Sequence, residues 1–342
     1  MADKKKSSAK GAEKKKTGRG KRFLAVVLCL LLALFAAGIV IPWTETDAGE
    51  TVAGSADWMA GLDDSLFLNE INLPGTHDSA TQFVHMGFFG KCQTKTIGEQ
   101  LSAGFRYLDI RLAVDGARLK LMHGFVDCQT GAMPWDATLY LDAVLSDCYA
   151  FLQAHPTETV VFAIKKEHGS DSVADFQRLL DAYLAEQPEY WLLTDRMPTL
   201  GQARGKLVLL RRYDDEGGLG ERAGIPLNWE GQSGSSDTSL HTVAEPNGSY
   251  TLYVQDRFCY PTEEKWSAFM AGLGAGDPAR GELTLSFLST KGTLPFGHPY
   301  KYAAVLNARL LAAELSPHCG WIVVDFATAP LAAHIYGTNF ND

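Results

Sequence analysis

Three short stretches carry the chemistry of this chain: Leu73-Pro74-Gly75-Thr76-His77-Asp78-Ser79, Leu108-Asp109-Ile110-Arg111 and Leu121-Met122-His123-Gly124. Within about fifty residues they supply two histidines, one arginine and two aspartates, each just after an apolar run. Two imidazoles can divide the work of general base and general acid, and an arginine can hold a phosphate between them. That is an inventory for cutting a phosphodiester without a metal. Two histidines drawn at random from one fold are more often structural, so placement has to decide.

The placement comes from eight short runs rich in Val, Ile, Leu, Phe and Tyr, near residues 70–74, 106–112, 119–123, 159–165, 206–212, 251–256, 283–288 and 320–326. Several lack strict alternation, which suits strands buried on both faces. Amphipathic stretches over about 136–154, 171–186, 261–273 and 299–315 read as helices, with Pro134, Asp171, Pro261 and Pro299 near their starts. Intervals 75–105 and 213–250 are less regular. Eight strands with interspersed helices predict an irregular α/β barrel of the (β/α)8 TIM type. It is irregular because only Asp115-Gly116 separates the second and third runs, which fits a hairpin better than a crossover.

Barrel chemistry gathers at the C-terminal ends of the strands. His77 and Asp78 follow the first run, Asp109 and Arg111 end the second, and His123 ends the third. Lys165 and Glu167 close the fourth, Arg212 the fifth, Asp256 the sixth and Asp325 the eighth, while the seventh ends only in Ser289 and Lys291. Any one such charge is ordinarily structural; their convergence suits a phosphate joined to a polyhydroxylated head.

Taken in order, these residues resemble the X-domain family of bacterial phosphatidylinositol-specific phospholipases C. The resemblance runs from about Asn69 to Phe326 and includes Ile164-Lys165-Lys166-Glu167, Leu209-Leu210-Arg211-Arg212-Tyr213, Val254-Gln255-Asp256 and Val323-Val324-Asp325-Phe326. It implies cleavage of phosphatidylinositol, or of a glycosylated inositol lipid, to diacylglycerol and inositol 1,2-cyclic phosphate. His77 would be the base, oriented by Asp325, and His123 the acid, assisted by Asp78. Arg111 would clamp the phosphate, with Asp109 as its anchor. Lys165, Glu167, Arg212 and Asp256 would grip the inositol. Calcium-dependent members carry an acidic residue where Arg111 stands, so the resemblance implies no metal and no other cofactor. One departure concerns the head group: metal-independent relatives place a tyrosine two residues after the aspartate, where this chain has Phe258.

The remaining sequence bounds the setting. The chain has 342 residues, 46% hydrophobic, with a formal charge of −9. Ten Lys or Arg against Asp3 and Glu13 give residues 1–22 a charge of +8, leaving −17 on the rest. Positive charge confined to an unstructured tail excludes a nucleic-acid-binding body. Residues 23–41 hold no charged side chain, and as a helix would span about 28 Å, close to a bilayer core. They read as a transmembrane anchor, or as a signal segment cut between 44 and 56, with the body outside either way. The protein would then sit in its own membrane through 23–41, or be secreted after cleavage. Residues 42–62 read as a tether and 63–342 as the catalytic barrel, a monomer meeting phospholipid at a membrane surface.

Cys92, Cys128, Cys148, Cys259 and Cys319 lack a CxxC pair, which leaves buried thiols or a Cys92–Cys128 or Cys128–Cys148 disulfide. His85 and His168 are expected to be solvated, and His155, before Pro156, to cap a helix. The segment 84–89, with Met86, Phe88 and Phe89, could dip into lipid or pack in the core. Two other functions compete: a glycerophosphodiester phosphodiesterase, which would need a carboxylate-held metal and a His-Arg opening, and a non-catalytic inositol-lipid or sugar binder, which would not need two proton-transfer groups.

Overall fold

The computed structural model describes residues 18–33 and 51–340, apart from 134, 168, 230, 233–240, 245–250 and 294–296. Each apolar run becomes a strand because its residues are buried on both sides. On the strand Val160–Lys166, Val161 and Ala163 join one apolar cluster while Val160, Phe162 and Ile164 join the other. Each fully buried Val, Ile or Phe of this kind contributes about 1.5–3 kcal/mol.

The strands are β1 (Pro74–Thr76), β2 (Tyr107–Asp115), β3 (Arg118–His123), β4 (Val126–Asp127), β5 (Val160–Lys166) and β6 (Trp191–Leu192), then β7 (Leu207–Arg212), β8 (Ile225–Pro226), β9 (His241–Ala244), β10 (Thr251–Gln255), β11 (Glu282–Phe287) and β12 (Trp321–Val324). The helices are α1 (Gly87–Gly90), α2 (Ile97–Ser102), α3 (Leu141–Ala154), α4 (Val173–Glu186), α5 (Leu200–Ala203), α6 (Thr262–Gly272), α7 (Pro299–Ala312) and α8 (Ala329–Tyr336). Seven of the eight expected strands and all four expected helices form in place, while the first strand lies at Pro74–Thr76, at the end of the run 70–74 rather than within it. Helix α3 starts at Leu141 rather than near 136 because Thr138 and Tyr140 bridge to Gln129 and Lys120.

The parallel order β7-β5-β2-β1-β12-β11-β10 builds a curled sheet, with β6 and β8 on β7 and an antiparallel β9 on β10. The eight-stave barrel needs correction here. The third run, β3, pairs antiparallel with β2, because the Asp115–Ala117 turn is too short for a parallel return. Among the described residues no ladder joins the β6/β8 edge to the β9/β10 edge, so the sheet is a half-barrel rather than a closed ring.

Side chains on one strand face recur every second residue. The inner face of β2 therefore runs Tyr107, Asp109, Arg111, that of β5 Val161, Ala163, Lys165, and that of β7 Val208, Leu210, Arg212: apolar at the base, charged at the mouth. The parallel register sets Arg111 beside Lys165 and Lys165 beside Arg212. Gly75 sits where a Cβ would meet Tyr107 at 2.9 Å and Val323 at 3.1 Å, so only glycine lets β1 pass between β2 and β12 with His77 at its end.

Two further expectations change. Of the tether expected over 42–62, residues 42–50 lie outside the described residues, and Ser55–Gly61 instead form a 3-10 helix with Trp58 and Met59 buried, Trp58 stacking on Tyr336 at 4.9 Å. The cysteines at 92, 128, 148, 259 and 319 are all free thiols, so neither disulfide forms. Residues 18–33 are helical and largely exposed, while 34–41 of the expected anchor lie outside the described residues. No helix among the described residues is long and apolar enough to cross a membrane.

Candidate active site

At the C-terminal ends of the parallel strands lies a cavity of about 490 Å³. Its walls include His77, Arg111, His123, Lys165, Glu167, Arg212, Asp256, Phe258 and Asp325, nine of the eleven residues singled out from sequence. The other two, Asp78 and Asp109, are buried directly behind it.

Hydrogen bonding fixes both imidazoles. His77 Nδ1 lies 2.7 Å from Asp325 Oδ1 and donates to it, which leaves Nε2 as the unprotonated nitrogen of the neutral ring, on the cavity side. His123 Nδ1 lies 2.7 Å from the Gly90 carbonyl, which can only accept, so Nε2 of this ring also faces inward, 3.3 Å from Asp78 Oδ2. The rings stand 6.1 Å apart and nearly perpendicular, at 84°.

Both Nε2 atoms approach Asp78 Oδ2, at 3.2 Å from His77 and 3.3 Å from His123, and beside His77 and Asp78 lies the Arg111 guanidinium. Its Nη2 donates to His77 Nε2 at 2.8 Å and to Asp109 Oδ2 at 2.8 Å, its Nε lies 3.0 Å from Asp78 Oδ1, and its Nη1 lies 3.4 Å from Glu167 Oε1. Asp109 holds two arginines at once, because Arg212 Nη1 reaches its other oxygen at 3.1 Å. Lys165 pairs with Glu167 at 3.0 Å. Asp78 is 2% exposed and lies within ion-pair distance of Arg111 and both histidines, yet neither oxygen makes an aligned hydrogen bond.

The charges tune one another. Burial alone would depress His77, but the carboxylates of Asp325 and Asp78 outweigh it, so the imidazole titrates above its ordinary value. Burial would raise Asp109, but Arg111 and Arg212 hold it far below the usual carboxylate range. Glu167 is lowered in the same way by Arg111 and Lys165 against burial. Ligand-type atoms of His77, Asp78 and Cys92 lie within 4.8 Å of one another. A divalent ion there would face the Arg111 guanidinium already among those groups, and a Cys92 thiol that burial pushes well up. This donor set suits a fixed organic cation better than a metal.

Sequence reasoning missed Trp229. Its ring lies under the Arg212 guanidinium at 3.7 Å and its Nε1 donates to Asp256 Oδ2 at 3.1 Å, linking two residues of the distal wall. It falls in the interval without regular pattern, where an isolated tryptophan was the one available signal. Lys291, on the weakest strand end, also lines the cavity. At the mouth, Met86, Phe89 and Phe125 form part of the wall, Phe88 is 41% exposed and Phe125 67%. His85 is exposed as expected, His155 caps α3 and pairs with Asp57 at 2.7 Å, and His168 lies outside the described residues.

Residues 75–213 match the family described as phosphatidylinositol-specific phospholipase C, X domain. The 1-phosphatidylinositol phosphodiesterase of Staphylococcus aureus strain Newman is 30% identical over 287 residues, 79% of this chain and 88% of the relative. That of Listeria monocytogenes serovar 1/2a is 29% identical over 208 residues, 55% of this chain and 60% of the relative. Among solved structures, a mutant of the Staphylococcus aureus phosphatidylinositol-specific phospholipase C superposes with a TM-score of 0.68 at 26% identity, covering 83% of this chain and 96% of the other. Strand order, site and likeness agree: the chain belongs to the phosphatidylinositol-specific phospholipase C X-domain family.

Proposed function

We propose that this protein is a phosphatidylinositol-specific phospholipase C that cleaves its substrate to diacylglycerol and inositol 1,2-cyclic phosphate by histidine base–acid catalysis, without a metal. The observation that carries this reading is the pair of imidazoles whose Nε2 atoms both approach Asp78 Oδ2, at 3.2 and 3.3 Å, with the Arg111 guanidinium against His77 and Asp78. His77 Nε2 takes the proton of the inositol 2-hydroxyl, whose oxygen attacks the adjacent phosphorus. The bond from phosphorus to the diacylglycerol oxygen breaks, and His123 Nε2 protonates that oxygen. Arg111 neutralises the non-bridging oxygens as charge gathers on them. In the free site Arg111 donates to the base itself, so an arriving phosphate must draw the guanidinium off His77 Nε2 before the proton can move. Asp325 holds the base in the right tautomer, Asp78 assists His123, and Asp109 anchors Arg111. Lys165, Glu167, Arg212 and Asp256 bind inositol hydroxyls, with Phe258 against the ring. A second, slower turnover adds water to the cyclic ester with the two histidines exchanging roles.

The apolar mouth, with Met86, Phe88, Phe89 and Phe125, supports approach to a lipid surface, where the diacylglycerol half can stay in the bilayer. The charge-free run 23–41 behind a basic tail supports placement of the domain outside the cell, anchored or released, and a monomer suffices for this chemistry because one chain supplies every group.

Head-group release from phosphatidylinositol vesicles, with and without EDTA, tests the reading. Release should persist under chelation and collapse in His77→Ala and His123→Ala. Calcium-restored activity would refute metal independence, and unchanged release in either variant would refute the division of labour.

A further inference from the structure

The ladder between β1 and β12 ends at Thr76 and Val324, one residue short of His77 and Asp325. His77 N still donates to the Val324 carbonyl at 2.9 Å, but beyond that point the two chains diverge. They do so through strained turns: Asp78, after His77, has φ +44°, and Phe326, after Asp325, has φ +51°. Left-handed backbone is unfavourable at a non-glycine residue, so something must hold each turn.

The holder is a third segment, outside both strands. Gln93 is wholly buried, and its Nε2 donates to the His77 carbonyl at 2.8 Å and the Val324 carbonyl at 3.0 Å, while its Oε1 accepts from Ala327 N at 3.1 Å. Next to it, the Cys92 carbonyl accepts from Phe326 N at 2.7 Å. Cys92 N donates to Thr81 Oγ1 at 3.0 Å, and Thr81 Oγ1 donates to the Asp78 carbonyl at 2.7 Å. Both strained turns are thus tied to one dipeptide, and the Gln93 carboxamide supplies the rung that the ladder lacks.

We infer that Gln93 is a positioning residue: its side-chain amide keeps the loops bearing His77 and Asp325 in register and so maintains the hydrogen bond between them. No other side chain fits the position. The site needs two donors and one acceptor in one plane on a long arm. Glutamate cannot donate and would press a buried charge on two carbonyls; asparagine is too short. The inference rests on His77 acting as the base, and its consequence is electrostatic. The groups facing His77 are Asp325, Asp78, Arg111, His123, the Cys92 thiol and the Phe287 ring, with Asp109 behind Arg111. If His77 and Asp325 drift apart, burial and Arg111 prevail over the remaining carboxylate and the imidazole titrates lower.

The fold contains its own control. Asn72 is an equally buried carboxamide at the opposite pole of the same two strands, donating to the Pro317 carbonyl and Thr338 Oγ1, each at 2.7 Å, and accepting from Gly320 N at 2.8 Å. Gln93→Met and Asn72→Leu should both lower thermal stability, but only the first should reach the dyad. In the full-length protein without substrate, NMR titration should place His77 of Gln93→Met below its wild-type value. The acid limb of kcat/KM should follow, with kcat down by about 10–100-fold and KM little changed. Should Gln93→Met fail to fold, Gln93→Asn carries the same two readouts. An unmoved His77 titration in the Gln93 variant, or an equal shift in Asn72→Leu, overturns the inference. A shifted titration with unchanged kcat would leave the latch standing and overturn instead the assignment of His77 as base.

Discussion

Two arginines stand near opposite ends of one strand and live differently: Arg106 just before β2 and wholly buried, Arg111 within it and partly exposed. Arg106 enters β2 at the base of the sheet, and Arg111 lies near its mouth. Arg106 pairs with Glu158 at 2.8 Å and spends its remaining donors on the carbonyls of Leu101, Phe105, Ser55 and Ala56. Its guanidinium lies 4.6 Å from the Phe151 ring, and no part of the side chain meets solvent. Arg111 touches no backbone carbonyl among its described partners: it meets Asp78, Asp109, Glu167 and the His77 ring, all titratable, beside an open cavity. Even the titration directions diverge. Burial wins over Glu158 and lowers Arg106, whereas three carboxylates overcome burial and push Arg111 well up. A guanidinium saturated by fixed carbonyls is a staple. One held by movable charges can exchange them for a phosphate.

Substitution should separate the two roles. On the proposed mechanism, Arg111→Ala removes the phosphate clamp and should lower kcat/KM by about 10³–10⁵-fold, the range for a lost transition-state arginine. Its stability should fall less than that of Arg106→Ala, since Arg212 and the Asp78 backbone N–H still hold Asp109 and both histidines still face the Asp78 carboxylate. A comparable loss of stability with intact activity would reverse the contrast. Arg106→Ala strands the Glu158 carboxylate in the interior and should cost about 3–5 kcal/mol in denaturant unfolding. Activity per folded molecule should stay within a few-fold, because Arg106 works at the far end of the strand. The loss should also free Ser55–Gly61, whose Met59 N–H donates to Glu158 at 3.1 Å, and limited proteolysis near Trp58 would detect that.

The mouth should respond to pH. As the proposed base, His77 must be neutral to accept a proton, and Asp325 with Asp78 raises it despite burial. The kcat/KM profile should therefore fall on the acid side through a midpoint above the ordinary histidine value of about 6.5, losing about tenfold per unit below it. For stability the sign is opposite to that of a carboxylate. A raised His77 stabilises most fully below its unfolded value, and that contribution is lost as pH climbs through the folded one. Asp109 and Glu167, both lowered, stabilise above their unfolded values and lose that as pH falls toward the folded ones. An acid midpoint at or below the ordinary value would show that Asp325 does not govern the base.

Much of this mouth was legible because strand geometry converts sequence into position. Asp109, Arg111, Lys165 and Arg212 each continue the inward face of an apolar run, so parity alone aims them at the cavity. The hairpin at Gly116 was legible for a similar reason, since no parallel crossover fits there. Other features depend on partners remote in sequence. Trp58 and Met59 stand in a segment whose composition reads as tether, and they become core only against Gly104, Glu158 and Tyr336. Gln93 is one polar residue among several, and its partners are backbone groups of other segments, which carry no residue type to recognise. Trp229 gained meaning only once Arg212 and Asp256 stood on either side of it.

The smallest effect should come from the distal wall, where charge gives way to shape. Phe258 lines the cavity near Asp256 and Trp229, at the position where the resemblance expects tyrosine. A phenyl face can lie against an inositol ring but offers its hydroxyls no partner. Phe258→Tyr should therefore lower KM for phosphatidylinositol by about 2–10-fold, the worth of one net hydrogen bond, while leaving kcat unchanged. A change in kcat would mean that the ring contributes in the transition state, drawing the distal wall into the chemistry of Arg111. A raised KM would mean instead that the cavity is fitted to a bulkier inositol lipid, with Phe258 clearing room for a substituent that a hydroxyl would obstruct. Glycosylated phosphatidylinositol, assayed beside the plain lipid, distinguishes these outcomes, because only a cavity shaped for the substituent would favour the glycosylated substrate with phenylalanine and lose that preference with tyrosine.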